Sequence, residues 1–397
     1  MKKTTEKTLN KKPNKKRRTY RNRVIMILSL VLALVISVMF LQEFVLCNPN
    51  HNTERVRGFY LEDKNSIDVV TIGSSEIYCA FAPGLNYKEC GFTSYPFATE
   101  GNTVRNFKAM YKEAVRTQDP KLIVIEINGA LYSDANMERD ANLRRVSDNI
   151  PLNENKTDLI NSSVTENKIE YYLPFIKYHG SWDKLQNTFA WTISLMQDKL
   201  RGYTLLKGVK TFNEIYKTES KVFYKNDKAL KARRALFNEA DKTLKEFLDF
   251  LDEEGVDKSK ILFVRFPHVV TPANITRYQR GNTIGDTIRS YGYNFVSFEM
   301  DDEGIDLDPY NDFYNIEHMN IYGQQKFSKF FAHYLQDNYG ITASDLTDKQ
   351  KAEWDEAVRY YDAYAAYNKD MIESGAERTE IGESYFIMKE IEKYLDK

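Results

Sequence analysis

Cysteine is scarce in this chain, with Cys47, Cys79 and Cys90 the only three in 397 residues, and the five His are scattered. No Cys or His spacing matches a ligand set, so a structural zinc site is excluded and no metal is expected. A disulfide framework is excluded as well. Cys79 and Cys90 can pair in an oxidising compartment, or both can be buried free thiols, and the sequence fits either. Basic and aromatic residues do not cluster on one face, which removes the electrostatic footprint of a nucleic-acid binder. There is no internal repeat and, beyond a basic N-terminal tail, no low-complexity tract. Long apolar runs are absent apart from one.

That run, VIMILSLVLALVISVMFL at residues 24–41, holds 18 residues without charge, Pro or Gly. At 1.5 Å per residue it nearly crosses a hydrocarbon core, and Phe44, Val45 and Leu46 can extend it. Residues 1–23 carry eleven Lys or Arg and the single acid Glu6, about +10, which leaves about −11 on the rest of a chain whose net charge is −1. The positive-inside rule therefore keeps residues 1–23 in the cytoplasm and exports the chain beyond residue 46. The run exceeds a usual signal-peptide core and no small-x-small cleavage site comes after it, so a retained signal anchor is expected at 24–46. Leu46 is too bulky for lipid attachment at Cys47. The expected localisation is the cell membrane, single-pass, with the main domain extracellular.

With 42% hydrophobic and 13% aromatic residues, the remainder can build a sizeable core. After a linker at 47–57, β-like runs stand at 67–72, 93–98, 122–127, 261–266 and 293–298, separated by helical patterns at 103–115, 229–251 and 283–291. Apolar strands alternating with helices predict an α/β fold with a parallel sheet covered on both faces. Residues 132–228 break the rhythm and read as an insertion over the sheet, either a lid, a substrate-binding subdomain or a plain helical cap. Its aromatic group Tyr171, Tyr172, Phe175 and Tyr178 can stack on sugars or pack a core. Beyond 340 the chain is charged and Tyr-rich, and Thr347-Asp348-Lys349-Gln350 is a capping box opening a helical extension at 341–397.

Two motifs can carry chemistry. Gly73-Ser74-Ser75 comes directly after the first apolar strand, where a parallel sheet presents its carboxyl edge to ligands. A Ser in such a turn can act as a nucleophile, although the same sequence serves as a plain turn or helix N-cap. The second is Asp312-Phe313-Tyr314-Asn315-Ile316-Glu317-His318, after the last strand. His318 can reach the same sheet edge and act as a general base, or be an ordinary loop His.

Taken together, Gly-x-Ser after the first strand and an Asp/Asn-x-x-His loop near the end resemble the SGNH (GDSL-like) hydrolase superfamily. The likeness is closest to its membrane-anchored surface branch, which includes the teichoic acid D-alanyl transfer protein and alginate O-acetylation proteins. In layout it covers residues 60–340, and it implies a flavodoxin-like three-layer fold over 58–340. Carried over motif by motif, it makes Ser75 the nucleophile, with Ser74 where the family often has Asp and Glu76 where it often has Leu. It makes Gly101, in Glu100-Gly101-Asn102, a backbone donor to the oxyanion, and Asn128, in Ile127-Asn128-Gly129, a side-chain donor. The usual Gly two before that Asn is Glu126 here, and the usual Asp after it is Gly129. The largest departure is Asn315, which stands where the acid three before the His is expected. Either Asn315 orients His318, or Asp312 does so if the loop folds back, or the site is weakened.

The resemblance implies a membrane-anchored acyl-ester hydrolase or O-acyltransferase acting through Ser75 on a cell-surface polysaccharide or teichoic acid-like polymer. No cofactor is required, and a polytopic membrane-bound O-acyltransferase is the implied partner. The other reading is an inactive carbohydrate-binding or assembly subunit of a cell-envelope modification complex that keeps the same fold.

Overall fold

The computed structural model describes residues 15–180, 185–215, 226–299, 304–375 and 385–395. Most of the basic tail, two pieces of the insertion and part of the C-terminal extension lie outside these residues. The first element, α1 (Lys15–Phe44), is a 30-residue helix. Its portion Arg18–Phe44 is long and apolar enough to cross a membrane, and its most apolar 18-residue stretch is not buried by the rest of the chain.

The domain proper begins with α2 (His51–Phe59), capped by the Asn50 side chain. Next along the chain are β1 (Val69–Gly73), α3 (Ser75–Ala80), α4 (Pro83–Cys90), β2 (Ser94–Ala98), α5 (Phe107–Gln118) and β3 (Leu122–Glu126). After the insertion come β4 (Ile261–Arg265) and β5 (Asn294–Ser297). The five strands form one all-parallel sheet in the order β2-β1-β3-β4-β5. The first four strands are buried at every position, which is why their sequences are mostly apolar without polar alternation.

Alternate strand residues feed two cores. Val70, Ile72, Tyr95, Phe97, Ile123, Ile125 and Phe263 meet α2, α5 and the helices α7 (Asn238–Glu253) and α8 (Ile275–Ser290). On the opposite face Val69, Leu122, Val124, Leu262 and Val264 meet α3 and the helix α9 (Ile321–Tyr339), through Phe327, Phe331 and Leu335. The result is a three-layer α/β arrangement. Because β2 and β3 lie on opposite sides of β1, the chain reverses direction there, and the carboxyl ends of β1 and β3 border the crevice where such sheets hold ligands.

Among its described residues the insertion is helical, with short helices and one longer, α6 (Leu185–Arg201), and no strand. Tyr171 lies against the Arg144 guanidinium, 3.8 Å from ring centroid to Cζ, and Tyr178 donates to Asp148 at 2.8 Å. These two rings are therefore engaged inside the insertion. The capping box at Thr347 and Gln350 opens α10 (Asp348–Ser374), and α11 (Tyr385–Glu392) packs beside it. All three thiols are free and buried, so Cys79 and Cys90 do not pair.

The helical pattern at 229–251 is broken in the structure. Residues 232–237 leave the helix because α8 captures their backbone: Arg234 N–H donates to the Gln279 carbonyl (3.2 Å), and Thr283 and Asn282 donate to the carbonyls of Arg234 and Ala232. Local helix propensity yields to tertiary hydrogen bonding.

Candidate active site

Ser75 is the first residue of α3, two beyond the end of β1. Its backbone N–H is thus one of the unpaired donors of a helix N-terminus. Its Oγ lies 2.7 Å from His318 Nε2, joining positions 243 residues apart. His318 sits in the loop before α9, which the antiparallel bridge between Phe313 and Met319 closes into a tight turn. Asn320 caps α9 from the same loop, accepting from the N–H groups of Tyr322 and Gly323.

Asn315 Oδ1 lies 3.0 Å from His318 Nδ1 and accepts the backbone N–H groups of Glu317 and His318, each at 2.8 Å. Two backbone donors require the oxygen, not the NH2, on this side, which fixes the amide orientation. His318 therefore carries its proton on Nδ1 and turns the lone pair of Nε2 toward Ser75. An Asn replacing the acid costs a serine enzyme about 10⁴ in kcat when it stabilises the wrong tautomer; here the loop backbone prevents that.

Asp312 does not orient the imidazole. It is buried, accepts from Asp308 N–H at 2.7 Å and pairs with Lys326 at 2.8 Å, and among the described residues it has no contact with His318. The Phe313–Met319 bridge is the reason: it sends residue 312 toward α9 and leaves Asn315 at the tip beside the ring. Asp312→Asn is accordingly expected to lower unfolding free energy by about 1–3 kcal/mol, with turnover per folded molecule within about two-fold of wild type. Denaturant titration alongside ester turnover tests this. A ten-fold loss of turnover at unchanged stability would restore Asp312 as the acid.

Gly101 adopts φ +59° in the loop after β2, with Asn142 2.9 Å from where a Cβ would stand. Only Gly fits this combination without strain. Ala98 pairs in register with Gly73, and Asn102 Nδ2 donates to the Gly73 carbonyl at 2.9 Å, so the loop carrying Gly101 is tied to the end of β1 just before Ser74 and Ser75.

Asn128, in a 3-10 turn at Ile127–Ala130, departs from the expected oxyanion role. Its two amide hydrogens are committed to Ser74 Oγ (3.1 Å) and to Glu76, while its oxygen accepts from Arg277. Both amide hydrogens are therefore already engaged and are not free for an oxyanion on Ser75.

Beneath the pair lies a buried charged network that the sequence did not reveal. Glu76 accepts from Ser74 and Asn128, with His268 Nε2 3.5 Å and Arg277 3.6 Å from its Oε1. His268 donates from Nδ1 to the Phe266 carbonyl at 2.6 Å, since a carbonyl only accepts. Arg265, fully buried, forms a two-pronged pair with Glu299 at 2.6 and 2.7 Å. Arg277 also pairs with Glu317, next to His318. Burial pushes the Glu76 carboxyl up, but its neighbours His268, His318 and Arg277 outweigh it and hold it well below the carboxylate range. Glu126 is pushed far up by burial and by the charge of Glu76. The two acids thus share one negative charge, carried by Glu76.

Burial holds His318 below the ordinary His value, with Glu76 the largest opposing influence. Neutral imidazole is the form that accepts a proton, so activity is expected to survive below pH 6.5 and to fall as pH drops through the lowered pKa. A pH profile of kcat/KM checks this, and an acid limb above pH 7 contradicts it. Asn315→Asp places a carboxylate on Nδ1 and moves the limb to higher pH.

The insertion closes over the ring. Phe212 stacks on Tyr314 (4.0 Å between centroids) and meets the His318 edge at 5.5 Å, while its carbonyl accepts from Ile321 N–H. No group of His, Cys, Asp and Glu among the described residues has the arrangement of a metal site. A scan against protein-family models and a search of curated proteins each returned no match to this chain.

Proposed function

We propose that this chain is a membrane-anchored, extracytoplasmic SGNH-like enzyme, an acyl-ester hydrolase or O-acyltransferase acting through Ser75 on a cell-surface polysaccharide or teichoic acid-like polymer. The observation that carries the reading is the Ser75–His318–Asn315 relay, 2.7 and 3.0 Å long, at the carboxyl edge of β1. Further support comes from the 2-1-3-4-5 parallel sheet and the positive-φ Gly101 loop beside Ser75.

In the first half-reaction Ser75 Oγ attacks an ester or thioester carbonyl and its proton passes to His318 Nε2. The carbonyl oxygen becomes an anion held by the N–H groups of Ser75 and Gly101. Collapse breaks the bond to the leaving oxygen or sulfur, which takes the proton from His318, and the acyl group stays on Ser75. Water, or a polymer hydroxyl, then gives its proton to His318 and attacks the acyl-serine, releasing an acid or an acylated polymer and restoring Ser75. Outside the membrane acyl-CoA is not at hand, and a polytopic O-acyltransferase is the partner that would pass acyl groups across.

Incubating the full chain with p-nitrophenyl acetate, quenching in acid and mapping peptides should find acetyl on Ser75. Polymer hydroxyl acceptors should discharge it faster than water if transfer is the natural reaction. An intact relay with no acylation would favour the carbohydrate-binding or assembly subunit, the reading that Asn315 in place of an acid supports. For the topology, protease added to intact cells should cleave the domain; full protection would overturn the proposed orientation.

A further inference from the structure

The helix α6 has a buried face and, among the described residues, an exposed apolar one. Ala190, Trp191, Ser194, Leu195 and Asp198 are buried, whereas Phe189, Met196 and Leu200 are 62%, 36% and 86% exposed. With Ile193 these fall at i, i+4, i+7 and i+11, a continuous apolar stripe on one side of the helix.

The stripe runs beside the end of α1. Thr192 donates to the Phe44 carbonyl at 2.5 Å, and Lys199 pairs with Glu43 and lies 5.3 Å from the Phe44 ring centroid. A cleft of about 540 Å³ opens at this junction, with Met39, Phe44, Leu152, Leu173 and Leu195 in its wall; Leu152 is 72% exposed. Met39 belongs to the apolar run itself, and Phe44 stands three residues past its end at Leu41. At 1.5 Å per residue the run is about 27 Å long against a hydrocarbon core of about 30 Å, so the attachment of α6 lies within about one helical turn of the hydrocarbon edge, at the boundary with the headgroups.

We propose that α6 is an interfacial helix: the outer leaflet of the bilayer covers its apolar stripe together with Leu152 and Leu173. The inference rests on the reading that α1 spans the membrane. It gives the domain a second membrane contact, so that the domain rides on the surface at a set tilt instead of swinging on a linker.

Full-length protein carrying one NBD-labelled cysteine, at Phe189→Cys, Met196→Cys or Leu200→Cys, is reconstituted in phosphatidylcholine vesicles. Leu32→Cys in α1 and Lys242→Cys, on the exposed side of α7, serve as controls; the native thiols are buried. Lipid with a nitroxide near the headgroup should quench the three stripe positions several-fold more than position 242, and aqueous iodide should do the reverse. Stripe labels that behave like position 242 while position 32 stays in lipid would overturn the proposal and leave the anchor intact. Stripe labels shielded from both quenchers would overturn it in favour of a second copy. Iodide quenching at position 32 would remove the anchor reading and this inference with it.

Discussion

Ser75→Ala is expected to reduce turnover of an activated acyl ester by about 10⁴–10⁶-fold, and His318→Ala by a similar factor. Both effects have one geometric cause. Ser75 Oγ is a poor nucleophile until its proton can leave, and the only group aimed at it among the described residues is His318 Nε2, 2.7 Å away. Each residue is useless without the other, so the double variant should lose about as much as either single one. Two unrelated contributions would instead multiply. Both side chains face the crevice, so the variants should fold, which near-UV circular dichroism can check. A folded Ser75→Ala protein retaining a tenth of wild-type turnover would remove Ser75 from the nucleophile's role.

Glu76→Gln should lower kcat by about 10–100-fold, leave KM nearly unchanged and shift the acid limb of the pH profile downward. Asn315 orients the imidazole but carries no charge, so something else must favour the imidazolium that forms during attack. Glu76 is the residue directly after the nucleophile, is buried, and carries the negative charge that it shares with Glu126. It is also the strongest influence favouring protonation of His318. A unit charge about 6–12 Å away at an effective dielectric near 20 contributes about 1.4–2.7 kcal/mol, which is the predicted loss of about 10–100-fold in rate. Glu76 is a positioning and electrostatic residue and does not touch the substrate, so the pH limb is the informative readout. Folded Glu76→Gln protein with wild-type kcat and an unmoved limb would exclude this role.

The sheet is legible in the sequence because strands buried on both faces are mostly apolar, and 122–127 and 261–266, with one charged residue each, can be little else. Ser75 and His318 are legible for a related reason, since each comes after a strand whose carboxyl end faces the crevice. Glu76, His268, Arg277 and the Arg265–Glu299 pair are not. A lone charged residue carries no periodic signal, and burial is decided by what packs around it. In the sequence Glu76 merely stands where the family it resembles often has Leu; its setting comes from His268 and Arg277, about 190 and 200 residues further along. Asp312 against Asn315 is undecidable for a different reason. Spacing of three or six residues before a His does not say where the loop turns, and the Phe313–Met319 bridge decides it. Asn128 matches the expected motif by position, but the neighbours that occupy its amide, Ser74, Glu76 and Arg277, come from two other elements.

The central claim is that His318 activates Ser75 as a nucleophile despite the missing acid. It is tested most directly by treating the full-length protein with a serine-reactive fluorophosphonate and reading intact mass for wild type, Ser75→Ala and His318→Ala. A single adduct on wild type, absent from both variants and mapped to the peptide containing Ser75, is the predicted result. A folded wild-type protein that takes no adduct, or one whose adduct survives in Ser75→Ala, would contradict it.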